Sequence, residues 1–195
     1  MILAKRLLPA VSLVLLCLFF AIQSPPFRTA DNLFNIVGQN AWLLIAGMGM
    51  TVVLLGAGID LSMGSVMALC GVVAAHVMVA RGWPVPAGIA AGMATGALAG
   101  AVNGLIVTRL KVPAFIATLG MLLVARGVAL KVAGGVTVDG APDAFGALAN
   151  AKVAGLPVPL LLTAAVAGVV AFLLHYTKFG RQIQAIGSNA EAARV

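Results

Sequence analysis

Between Ala41 and Ala80 the chain runs for forty residues in which Asp60 is the only Asp, Glu, Lys or Arg. As a single helix such a run would be roughly 60 Å long, about twice the hydrocarbon core of a bilayer. It therefore has to turn back on itself, and Gly56-Ala57-Gly58-Ile59-Asp60-Leu61-Ser62-Met63-Gly64 is the one stretch equipped to do so. Three glycines free the backbone, while Asp60 and Ser62 supply short side-chain acceptors for a turn or a helix cap. A carboxylate in such a run is either a functional group or the mark of a helix end at the membrane surface. The run by itself leaves both open.

Composition makes the membrane the solvent. The chain is 62% hydrophobic and 9% charged, whereas soluble domains carry about a quarter charged residues. Twelve Lys and Arg against five Asp and Glu give a formal charge of +7, which in a membrane chain sets topology and attracts anionic lipid. The basic residues are scattered, with one Tyr and two Trp in the chain, so no nucleic-acid footprint is expected. Cys17 and Cys70 lie inside apolar spans without disulfide or metal-ligand spacing and read as small core residues. His76 and His175 have no nucleophile or carboxylate at useful spacing. With no Gly-x-x-x-x-Gly-Lys loop either, no catalytic site, metal site or cofactor is expected in this chain. If ATP drives it, another subunit must supply the ATPase.

The expected fold is all-α, a polytopic transmembrane helical bundle of about six spans with amino and carboxyl ends cytoplasmic. Lys5 and Arg6 precede a first span, Leu7 to Ile22, read as a retained helix because no small-x-small cleavage site follows. The second runs from Ala41 to Ala57 behind the polar residues Asn32, Asn35, Gln39 and Asn40, and the third from Ser65 to Ala80. The fourth runs from Pro86 to Val107, the fifth from Pro113 to Ala133 and the sixth from Pro157 to His175. Gly134 to Leu156 is a polar external segment, and Tyr176 to Val195 returns to the cytoplasm. Lys5, Arg6, Arg109, Lys111, Lys178, Arg181 and Arg194, seven of the twelve basic residues, then fall inside, as the positive-inside rule asks. This layout puts Asp60 at the cytoplasmic end of spans two and three.

Two features of the spans stand out. Gly88, Gly92, Gly96, Gly100 and Gly104 recur every fourth residue, which keeps them on one face where another helix can approach closely. Arg126 lies roughly 20 Å along the fifth span from Pro113, too deep to snorkel back to the cytoplasm. It reaches outward or faces a protein-lined cavity. Asp60 and Arg126 lie at different depths and are not expected to pair. Gln39, Asn40 and Thr51 are expected to bond neighbouring helices rather than a polyol. In the tail, Ser188-Asn189-Ala190-Glu191 reads as a capping box opening a short helix through Ala192, Ala193 and Arg194.

Three blocks then coincide. Gly58-Ile59-Asp60-Leu61-Ser62-Met63-Gly64-Ser65 resembles the signature of sugar ABC-transporter permeases of the ribose/xylose/arabinose type. Asn103-Gly104, Pro113 to Gly120 and Ala125-Arg126-Gly127 are similar to the next block of that family. Phe179 to Asn189 with Glu191 to Arg194 is similar to its cytoplasmic block, in the same order. The resemblance implies a transport subunit rather than an enzyme, a multi-pass protein of the bacterial inner membrane. It implies a second permease copy, a cytoplasmic ATPase and a periplasmic sugar-binding protein as partners, with lipid around the spans. Residues 1–195 would be one transmembrane permease domain, incomplete at the carboxyl end, working by alternating access.

Residues 176–195 would then be a cytoplasmic coupling segment in which Ser188, Asn189, Glu191, Ala192, Ala193 and Arg194 engage the ATPase. Gly58, Asp60, Ser62 and Gly64 would form a signature turn that sets spans two and three against each other near the cytoplasmic exit. Two alternatives of other classes stay open: half of an ion-coupled secondary transporter with Asp60 as the ion site, or a truncated membrane protein that transports nothing. The particular sugar is not legible.

Overall fold

The computed structural model describes residues 2–189, with side chains from Leu8 onward. Helix α1 (Ile2–Gln23) leads through a 3-10 turn (Pro25–Arg28) into α2 (Ala30–Leu55), whose first turn is capped by Thr29 accepting from the Asn32 amide at 3.2 Å. The polar stretch from Asn32 to Asn40 is thus helical, and α2 begins well before the expected second span. Asn40 and Thr51 turn their side chains onto the Ile36 and Gly47 carbonyls of their own helix.

Helices α3 (Met63–Arg81), α4 (Val85–Arg109) and α5 (Ala114–Val132) follow. Gly82, left-handed at φ 64°, ends α3, and Pro84 and Pro113 precede α4 and α5, positions where a fixed φ and a missing N–H cost nothing. Beyond α5 the chain forms α6 (Asp143–Asn150), a two-residue ribbon of β1 (Lys152–Val153) against β2 (Leu156–Pro157), then α7 (Val158–Tyr176) and α8 (Lys178–Ser188). The polar segment from Gly134 to Leu156, expected to be external, is therefore partly ordered into helix and ribbon.

Among the described residues, α2, α3, α4, α5 and α7 are long and apolar enough to cross a membrane, five in all. Leu8–Gln23 of α1 adds a shorter apolar helix. The buried apolar residues among those described are few and mostly small: Ala41, Ala74, Ala99, Ala117, Ala125 and Ala129, with Leu69, Met78 and Leu174. Large apolar side chains such as Phe19, Leu98, Leu123 and Phe172 point outward. That inversion suits lipid, where helices associate by close packing of small residues rather than by hiding apolar area from water.

The helices sort into two groups. α3 packs against α4 and α5, whereas α2 packs against α7, with α8 beneath both. α2 and α3 make at most glancing contact, so the Gly58–Gly64 turn does not set the second and third spans against each other; it joins one group to the other. The reason is the size of the facing side chains. α4 offers α3 the bare backbone of Gly88, Gly92 and Gly96, while α2 turns Trp42, Ile45, Met50 and Val53 toward α3 and leaves a cleft.

Candidate functional site

The turn between the two groups is held by polar contacts inside the apolar bundle. Asp60 Oδ1 accepts from the Ser62 backbone N–H at 2.7 Å and from the Ser62 hydroxyl at 2.6 Å. Ser62 is 1% exposed, and its oxygen accepts in turn from Asn103 Nδ2 of α4 at 3.1 Å. On the other side Thr118 Oγ1 of α5 accepts from the Leu61 N–H at 3.2 Å and lies 3.3 Å from the Ile59 carbonyl. One turn of chain is thereby tied to two helices, with donors aimed at the carboxylate as a charged acceptor prefers. Asn103 and Thr118 are both buried, and Asn103 Oδ1 has no partner among the described residues.

The glycines of the turn act differently from the simple expectation of backbone freedom. The left-handed residue is Ala57, at φ 56°, and no glycine of the stretch has a positive φ. Gly58 is needed for space: a Cβ there would sit 3.1 Å from Val53 Cγ1 and 3.3 Å from the Val53 carbonyl. Gly64 has open space around it. The half-buried Asp60 borders the α2–α3 cleft, about 620 Å³, with Trp42, Met50, Val53, Met63 and Met67.

A second groove, about 730 Å³, lies between α3 and α5. Its floor is Gly64, Ser65, Ala68 and Val72, its wall carries Arg126, and Gly135 to Thr137 bend over one end. The bend is made by Gly134 and Gly135, both left-handed, with the Gly135 N–H on the Leu130 carbonyl. α3 and α5 begin side by side at Leu61 and Thr118 and run the same way. Arg126, eight residues past Thr118, is thus about 12 Å from the Asp60 level. Asp60 and Arg126 border different cavities. A guanidinium facing lipid so far along a span would cost about 3 kcal/mol on insertion scales, and here it faces a groove.

Of the glycine stripe, three members meet α3. A Cβ on Gly88 would lie 2.5 Å from Met78 Cγ and 3.1 Å from the Ala74 carbonyl, one on Gly92 3.0 Å from the Cys70 carbonyl, and one on Gly96 3.1 Å from Cys70 Sγ. Gly100 and Gly104 meet nothing within 4 Å. The stripe is longer than the contact because a four-residue spacing drifts by about 40° per step around the helix, so that farther along α4 the buried face carries Ala99 and Asn103 rather than Gly100 and Gly104.

In the tail, Ser188 is the last residue of α8: its hydroxyl donates to the Ala185 carbonyl at 3.0 Å, and Asn189 follows in extended conformation. Glu191, Ala192, Ala193 and Arg194 lie outside the described residues. α8 itself, not foreseen as an element, is capped by Thr177 accepting from the Gly180 N–H. It is seated on the end of α7 at Gly180 and, through the backbone of Gly187, against the Leu55 carbonyl at the end of α2. Gln184 Nε2 donates to the Leu174 carbonyl at 3.2 Å, and Ile183 lies beside Gly56. Asn103 and Thr118 were also without an assigned role. The signals for Asn103 are that it is the sole amide in α4 and that it opens the second of the three blocks with Gly104.

Residues 32–195 match the family described as "Branched-chain amino acid transport system / permease component". The chain is 40% identical over 191 residues to the ribose import permease protein RbsC of Escherichia coli K12, covering 95% of this chain and 59% of that protein. It is 38% identical to RbsC of Bacillus subtilis, over 98% of this chain and 60% of the relative. To the L-arabinose transport system permease protein AraH of Escherichia coli K12 it is 41% identical, over 90% of this chain and 53% of AraH. The chain thus spans about three fifths of the length of the curated relatives it matches. No solved structure matches it at a significant level.

Proposed function

The chain belongs to the family of permease components described for branched-chain amino acid transport systems, and on that premise we propose that it builds part of the membrane pathway of an ATP-driven sugar importer. Membership makes it a transport subunit rather than an enzyme. The cargo class rests on the relatives: ribose, arabinose and allose permeases match at 34–41% identity, while the family description alone names amino acids. Because RbsC and AraH stand within one percentage point of each other, the likeness favours sugars as a class and no single sugar.

The single observation that carries a moving-subunit role is the two-group packing. α3, α4 and α5 are tied together at Ser62, Asn103 and Thr118, and α2 and α7 are tied to α8. The turn at Gly56–Leu61 is the link between them, bordered by a cleft. A push on α8 would travel through Gly187 and Leu55 into α2 and shift it against the other group, as alternating access requires. In this scheme the Ser188–Arg194 segment continues from α8 toward a cytoplasmic ATPase, a second permease copy completes the pathway, and a periplasmic binding protein delivers the sugar. α1 supplies a sixth span: its 22 residues measure about 33 Å, and both ends then face the cytoplasm of a bacterial inner membrane.

The test is the ATPase rate of the full-length permease assembled with its ATPase in nanodiscs. Sugar-loaded binding protein is expected to stimulate hydrolysis, and Gly187→Val, which collides with Leu55, is expected to abolish the stimulation while leaving the complex extractable. A Gly187→Val complex stimulated like the parent would remove α8–α2 contact from the scheme.

A further inference from the structure

We infer that the groove between α3 and α5 is a sugar-contacting part of the pathway and that Arg126 is its ligand-facing group, holding vicinal hydroxyls of a neutral monosaccharide. The inference rests on the sugar-importer assignment above. Three polar side chains share this groove, Arg126, Ser65 and Thr137, and none makes a hydrogen bond among the described residues, whereas Thr51, Thr95, Thr108 and Thr163 each turn onto a carbonyl of their own helix. Among the described residues Arg126 has no carboxylate beside it: Asp60 faces the α2–α3 cleft instead. An unpaired guanidinium within a span has to meet water or a polar ligand.

The groove is shaped for such a ligand. Gly64 and Ala68 leave its floor bare along α3, and a Cβ at Gly64 would meet nothing. At about 730 Å³ it falls within the range of small-molecule sites. The guanidinium presents its N–H donors as a planar fork that suits two adjacent oxygens. Ser65 and Thr137 can each donate and accept, which matches hydroxyls better than carboxylates. Ala129, Leu130 and Val72 supply the apolar wall against which the C–H face of a sugar ring can lie. The α2–α3 cleft, lined by methionines, Trp42 and Val53 with one carboxylate already occupied by Ser62, offers no comparable set of free donors.

The test uses the full-length transporter with native cysteines replaced and Ser65→Cys or Phe172→Cys introduced, in nanodiscs open to both faces. A charged hydrophilic maleimide is expected to label position 65 and not position 172 on α7, whose phenylalanine is 59% exposed on an outward apolar face away from the groove. Uptake in vesicles identifies which of D-ribose, D-allose or L-arabinose the parent carries, and that sugar is expected to slow labelling at position 65. Arg126→Gln is expected to remain open to the maleimide at position 65 and to extract like the parent, which shows that it folds. It should raise the sugar concentration for half-protection tenfold or more, as loss of charged hydrogen bonds does; Arg126→Lys should fall between. A parent that carries one of the sugars while position 65 is unlabelled or unprotected overturns the groove assignment and leaves the importer assignment standing. Protection unchanged in Arg126→Gln overturns the role of Arg126. A parent that carries none of the three overturns the importer assignment and this inference with it.

Discussion

Ser62 shows how much rests on one small side chain. Its hydroxyl donates to Asp60 and accepts from Asn103, so Ser62→Ala strands a buried amide and removes a charged hydrogen bond. The expected loss is about 1–3 kcal/mol, read as a lower melting temperature in detergent. Asn103→Ala should cost a similar amount, and because both break one link the double variant should lose less than the sum of the two. Fully additive losses would mean that the two side chains are energetically independent. Asp60 is legible in the sequence as a lone carboxylate, and Asp-x-Ser as a local turn. The partnership of Ser62 with Asn103 is not, because 41 residues separate the pair and nothing local encodes the distance. Arg126 was legible as an intramembrane charge for the opposite reason: cost alone singles it out.

At the scale of the helices, packing discriminates between glycines that look alike in sequence. Gly92→Ala would press a methyl against the Cys70 carbonyl and Ala74 Cβ, and loss of about 1–3 kcal/mol is expected from such overpacking. Gly100→Ala meets open space and should be neutral or stabilising by up to about 1 kcal/mol through helix propensity. Thermal stability of the two purified variants decides the matter, and equal effects would contradict the α3–α4 contact. Which helices meet which was the least readable part of the fold. In a span apolar on every side no periodicity marks an inward face, so the α2–α3 cleft and the α2–α7 contact emerge only from the size of opposed side chains. α8 was missed for a related reason. Its place under α7 and α2 depends on Gly180 and Gly187 respectively, two glycines whose role is close backbone approach.

At the scale of the molecule, two helical groups joined by one turn predict a pattern of distances. Paired cysteines from Gly56→Cys and Ile183→Cys should cross-link readily, since a Cβ at 56 would lie 3.8 Å from Ile183 Cγ2. The pair Asp60→Cys and Arg126→Cys should not, being about 12 Å apart along the parallel α3 and α5. Efficient cross-linking of the second pair would place the turn much deeper than the contacts of Ser62 and Thr118 allow.

On the function proposed above, this chain is part of a permease whose motion is driven from α8 by ATP and not by an ion gradient through Asp60. The most direct measurement is accumulation of labelled D-ribose, D-allose and L-arabinose in vesicles holding the full-length permease, its ATPase and its binding protein. Uptake of at least one sugar that requires ATP inside the cytoplasmic compartment, and persists when a protonophore collapses the proton gradient, is the predicted result. Uptake that continues without ATPase and collapses with the protonophore would contradict it.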